Sequence, residues 1–157
     1  MTDAPIATRR GWTRWFRRGP WENVATALIG LGIQGREGPL SQVFRNLIDN
    51  ARSFSGLAGG QGAQVRVAVR REGAEIIATV DDDGPGVPPE NLETIFERFY
   101  TSRPKGAAFG GHSGLGLSIA RQIIEAHGGS IRAENRRDDA GRIEGARFVI
   151  ALPESRP

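Results

Sequence analysis

Residues 75–88 read EIIATVDDDGPGVP, an apolar run that ends in three consecutive aspartates followed at once by Gly84, Pro85 and Gly86. Side chains alternate along an extended chain, so Ile76, Ala78, Val80 and Asp82 share one face and Glu75, Thr79, Asp81 and Asp83 the other. The apolar face is the one a core covers, which aims Asp82 inward and leaves Asp81 and Asp83 to solvent. A carboxylate on a buried face is costly unless donors or a ligand meet it. Gly84 and Gly86 would let a ligand approach the backbone beside it. A calcium loop centred on Gly84 fits poorly: its first ligand would be Thr79, a strand precedes it, and Pro85, Pro88 and Pro89 stiffen it.

Upstream, QVRVAVRREG pairs naturally with this strand through a turn at Glu72 and Gly73, with Val65, Val67 and Val69 facing one way and Arg66 and Arg70 the other. Before it, PLSQVFRNLIDNARSFS (39–55) places Leu40, Val43, Phe44, Leu47, Ile48, Ala51 and Phe54 on one helical stripe, with Pro39 in the tolerated first turn. Downstream, NLETIFERFY (91–100) predicts a short helical piece, and TSRPKGAAFGGHS (101–113) a small-residue, mobile loop. GLGLSIARQIIEAH predicts a second long helix, capped by Ser113 and stopped at Gly128 and Gly129. Two strands, SIRAEN and GARFVIAL, close the chain around the turn RRDDAGRIE. Helices and strands in this order predict an α+β fold, a two-layer α/β sandwich with a mixed, mostly antiparallel sheet and helices on one face.

Composition sets the outer limits. The 157 residues are 38% hydrophobic and 25% charged, enough for one core. Cysteine is absent and there are two histidines, which excludes disulfides, thiolate chemistry and an ordinary zinc cluster. The net charge of +3 does not point to nucleic acid: residues 1–21 carry Arg9, Arg10, Arg14, Arg17 and Arg18 against Asp3, so the remainder is slightly negative. That basic leader holds all three tryptophans and suits an anionic membrane surface or a partner protein, or is a disordered extension; residues 22–157 are expected to form the domain. VATALIGLGI (24–33) is too short to span a membrane and reads as a core strand.

Four segments together carry a resemblance. RNLIDNA in the first helix, DDGPG at 82–86, IFERFY at 95–100 and HSGLGLSIA at 112–120 resemble the asparagine, first glycine, phenylalanine and second glycine boxes of sensor histidine kinases, in that order. The resemblance spans residues 33–152 and implies the catalytic and ATP-binding domain, with the Bergerat-type sandwich of the wider GHKL ATPases. It implies that Asp82 accepts a hydrogen bond from the adenine amine, with Gly84 and Gly86 beside the base and Phe54 either stacked on it or packed in the core. It implies that Asn50 holds Mg2+ on the phosphates of ATP, supported by Asn46, and that Ser113, Gly114, Leu115 and Gly116 cradle phosphate at a helix start.

Helical geometry agrees on one point: Asn46 and Asn50 lie roughly 40° apart on one edge of the apolar stripe. Departures from the family pattern are Ser53, where a basic residue often stands, and His112 in place of the first glycine of the second box. Phosphate neutralisation then falls to Arg98, Arg103 or Lys105. No phosphoacceptor pattern surrounds either histidine; His127 reads as a helix-end residue and His112 as part of the nucleotide loop. The resemblance thus implies a cytoplasmic enzyme domain that phosphorylates a histidine on a separate helical domain, with a response regulator downstream. A serine kinase of the anti-sigma-factor kind and a nucleotide-switched interaction module are the alternatives.

Overall fold

The structure, a computed structural model, describes residues 7–8, 11–16, 33, 35–55, 65–100 and 114–155. Strands β1 (Ala7–Thr8) and β2 (Gly11–Phe16) precede helix α1 (Glu37–Ser55), the hairpin β3 (Arg66–Glu72) and β4 (Glu75–Asp81), helix α2 (Gly116–Ala126), and the closing pair β5 (Ser130–Arg137) and β6 (Ile143–Pro153). The sheet order is β1-β2-β3-β4-β6-β5 and every one of these pairings is antiparallel, so the described strands contain no parallel pair of the kind a mixed sheet would have. The leader set apart at residues 1–21 contributes β1 and β2, and β2 pairs with β3. Of the run 24–33 only Ile33 is described, and it is buried; the strand expected there, the loop 101–113 and the Ser113 cap lie outside the described residues.

Packing follows the predicted stripe. Leu40, Val43, Phe44, Leu47, Ile48 and Ala51 of α1 are buried against Val67, Val69, Ile76, Ala78, Val80, Phe148 and Ile150 of the sheet, with Ala120 and Ile124 of α2 completing the layer. Full burial of each such large side chain is worth about 1.5–3 kcal/mol, so Phe44→Ala alone would cost about 3–5 kcal/mol. The hairpin turns at Gly73, where φ is +63°. Helix α2 ends as its sequence predicts: Gly128 takes φ +74°, and the Gly128 and Gly129 N–H groups donate to the carbonyls of Glu125 and Ile124.

One element differs from expectation. Residues 91–100 do not form a continuous helical piece but follow two 3₁₀ turns, Pro89–Asn91 and Thr94–Phe96. The reason is the anchoring of Phe96, which is buried edge-on against Phe148 with centroids 6.1 Å apart and has the Arg121 guanidinium 5.4 Å from its ring centroid. Tertiary burial at one aromatic outweighs the weak helical preference of a short segment.

Candidate nucleotide site

Strand β4 delivers Asp82 into the interior, 2% exposed, as the alternation predicts. Its Oδ1 accepts two backbone bonds, from the Gly84 N–H at 2.9 Å and from the Ala146 N–H at 3.0 Å. Among the described residues no donor meets Oδ2. Burial raises the Asp82 pKa above the usual 3.8, against the lowering effect of the Ala146 and Gly84 bonds and of the nearby Arg136 charge. The group is therefore an anchored carboxylate with one oxygen spent and one available.

The neighbouring aspartates are not in solvent, which corrects the reading of the sequence. Asp81 is 3% exposed and bound at both oxygens by Arg147, Nε to Oδ1 and Nη2 to Oδ2, each at 2.7 Å. That bond is the main reason the Arg147 pKa is raised. Asp83 is half-buried and accepts from Arg66 Nη2 at 2.7 Å and Arg136 Nη2 at 3.1 Å. The alternation of faces holds, but β4 lies between β3 and β6, and Arg66 and Arg147 are the residues paired with Asp81 on either side. The outer face of a central strand is thus covered by its neighbours' long side chains. Arg136 Nε, buried and without a hydrogen bond, stands 3.8 Å from Asp81 Oδ2.

The glycines divide into two kinds. A Cβ on Gly84 would stand 3.1 Å from the Phe54 backbone carbon and Cβ, and one on Gly86 (φ +78°) would stand 2.7 Å from Asn135 Oδ1 and 2.5 Å from Ile143 Cγ2. The room expected there for a ligand is taken by protein, including the half-buried Phe54 at the end of α1. Gly114 (φ +70°) is pressed against the Phe99 backbone, and its carbonyl accepts the Phe99 N–H at 2.9 Å. At Gly116, among the described residues only Asn46 is near, at an ordinary 3.8 Å, and none of them forbids a side chain there.

Asn46 bridges the two helices, its Nδ2 donating to the Gly116 carbonyl at 3.2 Å. Asn50, one turn on, is half-buried and has no side-chain partner among the described residues. Leu115 caps α2 without a side-chain bond, while Ser118 Oγ donates to its carbonyl at 2.9 Å. Arg98 is exposed and makes no ion pair among the described residues; Arg103, Lys105, His112 and Ser113 lie outside them. His127 is structural as read, with Nδ1 donating to the Ile123 carbonyl at 2.7 Å and Nε2 accepting the Arg36 N–H at 3.3 Å. A neutral amide oxygen on Asn50 suits a hard cation. Among the described residues no group of three His, Asp or Glu side chains could hold a metal.

Residues outside the four boxes complete the site: Asn135, Arg136, Arg147 and Arg66. The alternation of Arg66 and Arg147 on their strands was readable but their pairing beside Asp81 was not; for Arg136 and Asn135 on β5, one strand further out, there was no signal.

The fold is a two-layer α/β sandwich of the Bergerat type, with a buried, backbone-anchored carboxylate on the sheet and, on the helix packed over it, an amide with no partner among the described residues. The chain belongs to the family of histidine kinase-, DNA gyrase B- and HSP90-like ATPases, which matches residues 35–156. It is 51% identical over 121 residues to the sensor protein ChvG of Rhizobium meliloti, covering 77% of this chain and 20% of that protein. The mycobacterial sensor histidine kinase MprB superposes with a TM-score of 0.64 at 31% identity, over 78% of this chain and 75% of that one. The nucleotide-free catalytic domain of histidine kinase ThkA superposes with a TM-score of 0.64 at 25% identity, over 90% of this chain and 95% of that one. The chain spans about a fifth of the length of the curated ChvG relatives it matches.

Proposed function

We propose that this chain is the catalytic and ATP-binding domain of a sensor histidine kinase, which transfers the γ-phosphoryl group of Mg-ATP to a histidine on a separate helical domain. The observation that carries the reading is Asp82: a buried carboxylate whose Oδ1 is saturated by backbone and whose Oδ2 is left to accept from a ligand. An adenine amine satisfies it, whereas the carbonyl of guanine would repel it.

The rest of the site takes the phosphates. Backbone N–H groups at the start of α2, from Gly114 to Gly116, have no intrahelical acceptor and suit phosphate oxygens. Among the described residues Gly116 leaves space beside Asn46. Mg2+ would be held by Asn50, with Asn46 behind it, and would neutralise phosphate charge. Arg98, Arg103 and Lys105 are the candidates to meet the γ-phosphate. In the transfer, the imidazole nitrogen of the acceptor histidine forms a bond to γ-phosphorus, the bond to the bridging oxygen breaks, and ADP leaves. The protein's part is positioning and charge neutralisation.

The phosphoacceptor domain and a response regulator are the implied partners. Among the described residues no helix is long and apolar enough to cross a membrane; we place this domain on the cytoplasmic side, where ATP is, with the Arg/Trp leader available to an anionic membrane surface. Titration of the chain with ATP and GTP, with and without magnesium, tests binding. Addition of a helical hairpin carrying the acceptor histidine then tests transfer: acid-labile label from γ-phosphate should appear on the hairpin and not on the chain. Intact ATP binding without labelling of a cognate hairpin would leave a nucleotide switch as the better reading.

A further inference from the structure

Asn135 on β5 makes two short bonds to a single residue. Its Oδ1 accepts the Val87 N–H at 2.8 Å, and its Nδ2 donates to the Val87 carbonyl at 2.7 Å. One side-chain amide thereby does what a paired strand residue does with its backbone. Val87 closes the turn that begins at Gly84, and the clamp seats over Gly86, where a Cβ would stand 2.7 Å from Asn135 Oδ1. The N–H at the head of that turn, Gly84, is one of the two donors that hold Asp82 Oδ1; the other is Ala146, which is the β6 residue paired with Asn135. Asn135 therefore reaches one anchor of Asp82 through strand pairing and the other through its amide.

We propose that Asn135 is a positioning residue for adenine selectivity, holding the 84–87 turn so that Asp82 Oδ1 stays saturated and Oδ2 alone is presented to the exocyclic amine. The inference rests on the nucleotide reading above. With the clamp removed, the turn gains freedom, the Gly84 donor drifts, and the carboxylate can rotate about its terminal torsion, whose wells are broad. The amine then meets an acceptor of no fixed direction. None of these residues is among those proposed above to meet the phosphates.

The test compares ATP with purine riboside triphosphate, which lacks the amine, on the full chain and on Asn135→Ala, Asn135→Asp and Asp82→Ala. The unsubstituted protein should prefer ATP by about tenfold to a hundredfold, the worth of a charged hydrogen bond. In both Asn135 variants that preference should shrink by about threefold or more, with affinity for the amine-free nucleotide held within about twofold. Asn135→Asp keeps the size and the Oδ1 acceptor, so it decides the matter if Asn135→Ala fails to fold. Equal weakening toward both nucleotides, or an undiminished preference, would overturn the proposal. Loss of preference in Asp82→Ala alone would overturn only the role of Asn135. A wild-type preference retained in Asp82→Ala would bring down the nucleotide reading and this inference with it.

Discussion

At the aspartate turn all three carboxylates already have protein partners, whereas at Asn50, Arg98 and Gly116 side chains stand unpaired and space stands unfilled among the described residues. Under the proposed function the aspartate turn, held by protein partners, would be the wall that reads the base, and Asn50 with the start of α2 the wall that takes the phosphates. The difference follows from the chemistry of each end of the nucleotide. A base is read by a hydrogen bond of fixed direction, so its acceptor has to be held rigidly. Phosphates move during transfer and carry most of the charge, so groups that meet them do better unpaired beforehand. Ion pairs made in advance would have to be broken.

The comparison breaks most readily at Arg147. Arg147→Met should destabilise the domain by about 2–3 kcal/mol, because it strands the buried Asp81 carboxylate, while the half-exposed Arg147 end of the pair and the nearby Arg136 limit the loss. The shift in the urea midpoint measures it. A loss under about 0.5 kcal/mol would mean that the turn is not held by its arginines and that the contrast between the two walls is unreal.

Asp82→Asn should weaken ATP binding by about 1.5–3 kcal/mol, because the amide can present a donor where adenine also donates. Stability should move the other way. Burial raises the Asp82 pKa above 3.8, so protonation favours the folded state: that contribution is complete below the unfolded pKa and is lost as pH rises through the folded one. At neutral pH the ionised carboxylate is thus a cost. Asn keeps the Oδ1 acceptor for Gly84 and Ala146 without the charge, so thermal unfolding at pH 7 should show no loss, and the stability difference from the unsubstituted protein should vanish as pH falls toward 3.8. A variant both weaker in binding and less stable at pH 7 would make Asp82 a structural residue first.

On the other wall, Asn50→Ala should leave stability within about 0.5 kcal/mol, since it removes no core atom and no described hydrogen bond. Its effect should be confined to magnesium: the difference in ATP affinity with and without the ion should shrink by about 1 kcal/mol. An unchanged magnesium effect would return Asn50 to the helix edge as a solvated side chain.

How much of this was legible in the sequence depends on how local each cause is. The α1 stripe, the hairpin turn at Gly73 and the inward Asp82 follow from periodicity alone, and the structure keeps them. The burial of Asp81 does not, because it depends on which strands flank β4, and Arg136 and Arg147 lie far along the chain. Asn135 is further still from view: nothing in SIRAEN signals that its amide will reach Val87. For Gly84 and Gly86 the residue type was readable and its reason was not, since the space they leave is filled by Phe54, Asn135 and Ile143.

The smallest expected effect is at Gly116. A glycine at the first residue of a helix costs a few tenths of a kcal/mol relative to alanine, less than the roughly 1 kcal/mol of a helix interior. Among the described residues an added Cβ would find Asn46 at 3.8 Å and no closer neighbour, so Gly116→Ala should leave the domain as stable as before or slightly more so. Gly84→Ala, with Phe54 backbone 3.1 Å away, should destabilise it. If the space beside Gly116 belongs to phosphate, the alanine variant should lose ATP affinity while gaining or keeping stability, and adenosine, which has no phosphate, should bind it undiminished. Undiminished ATP binding would mean that this glycine is spare, and the phosphate wall would have to be sought elsewhere along the start of α2.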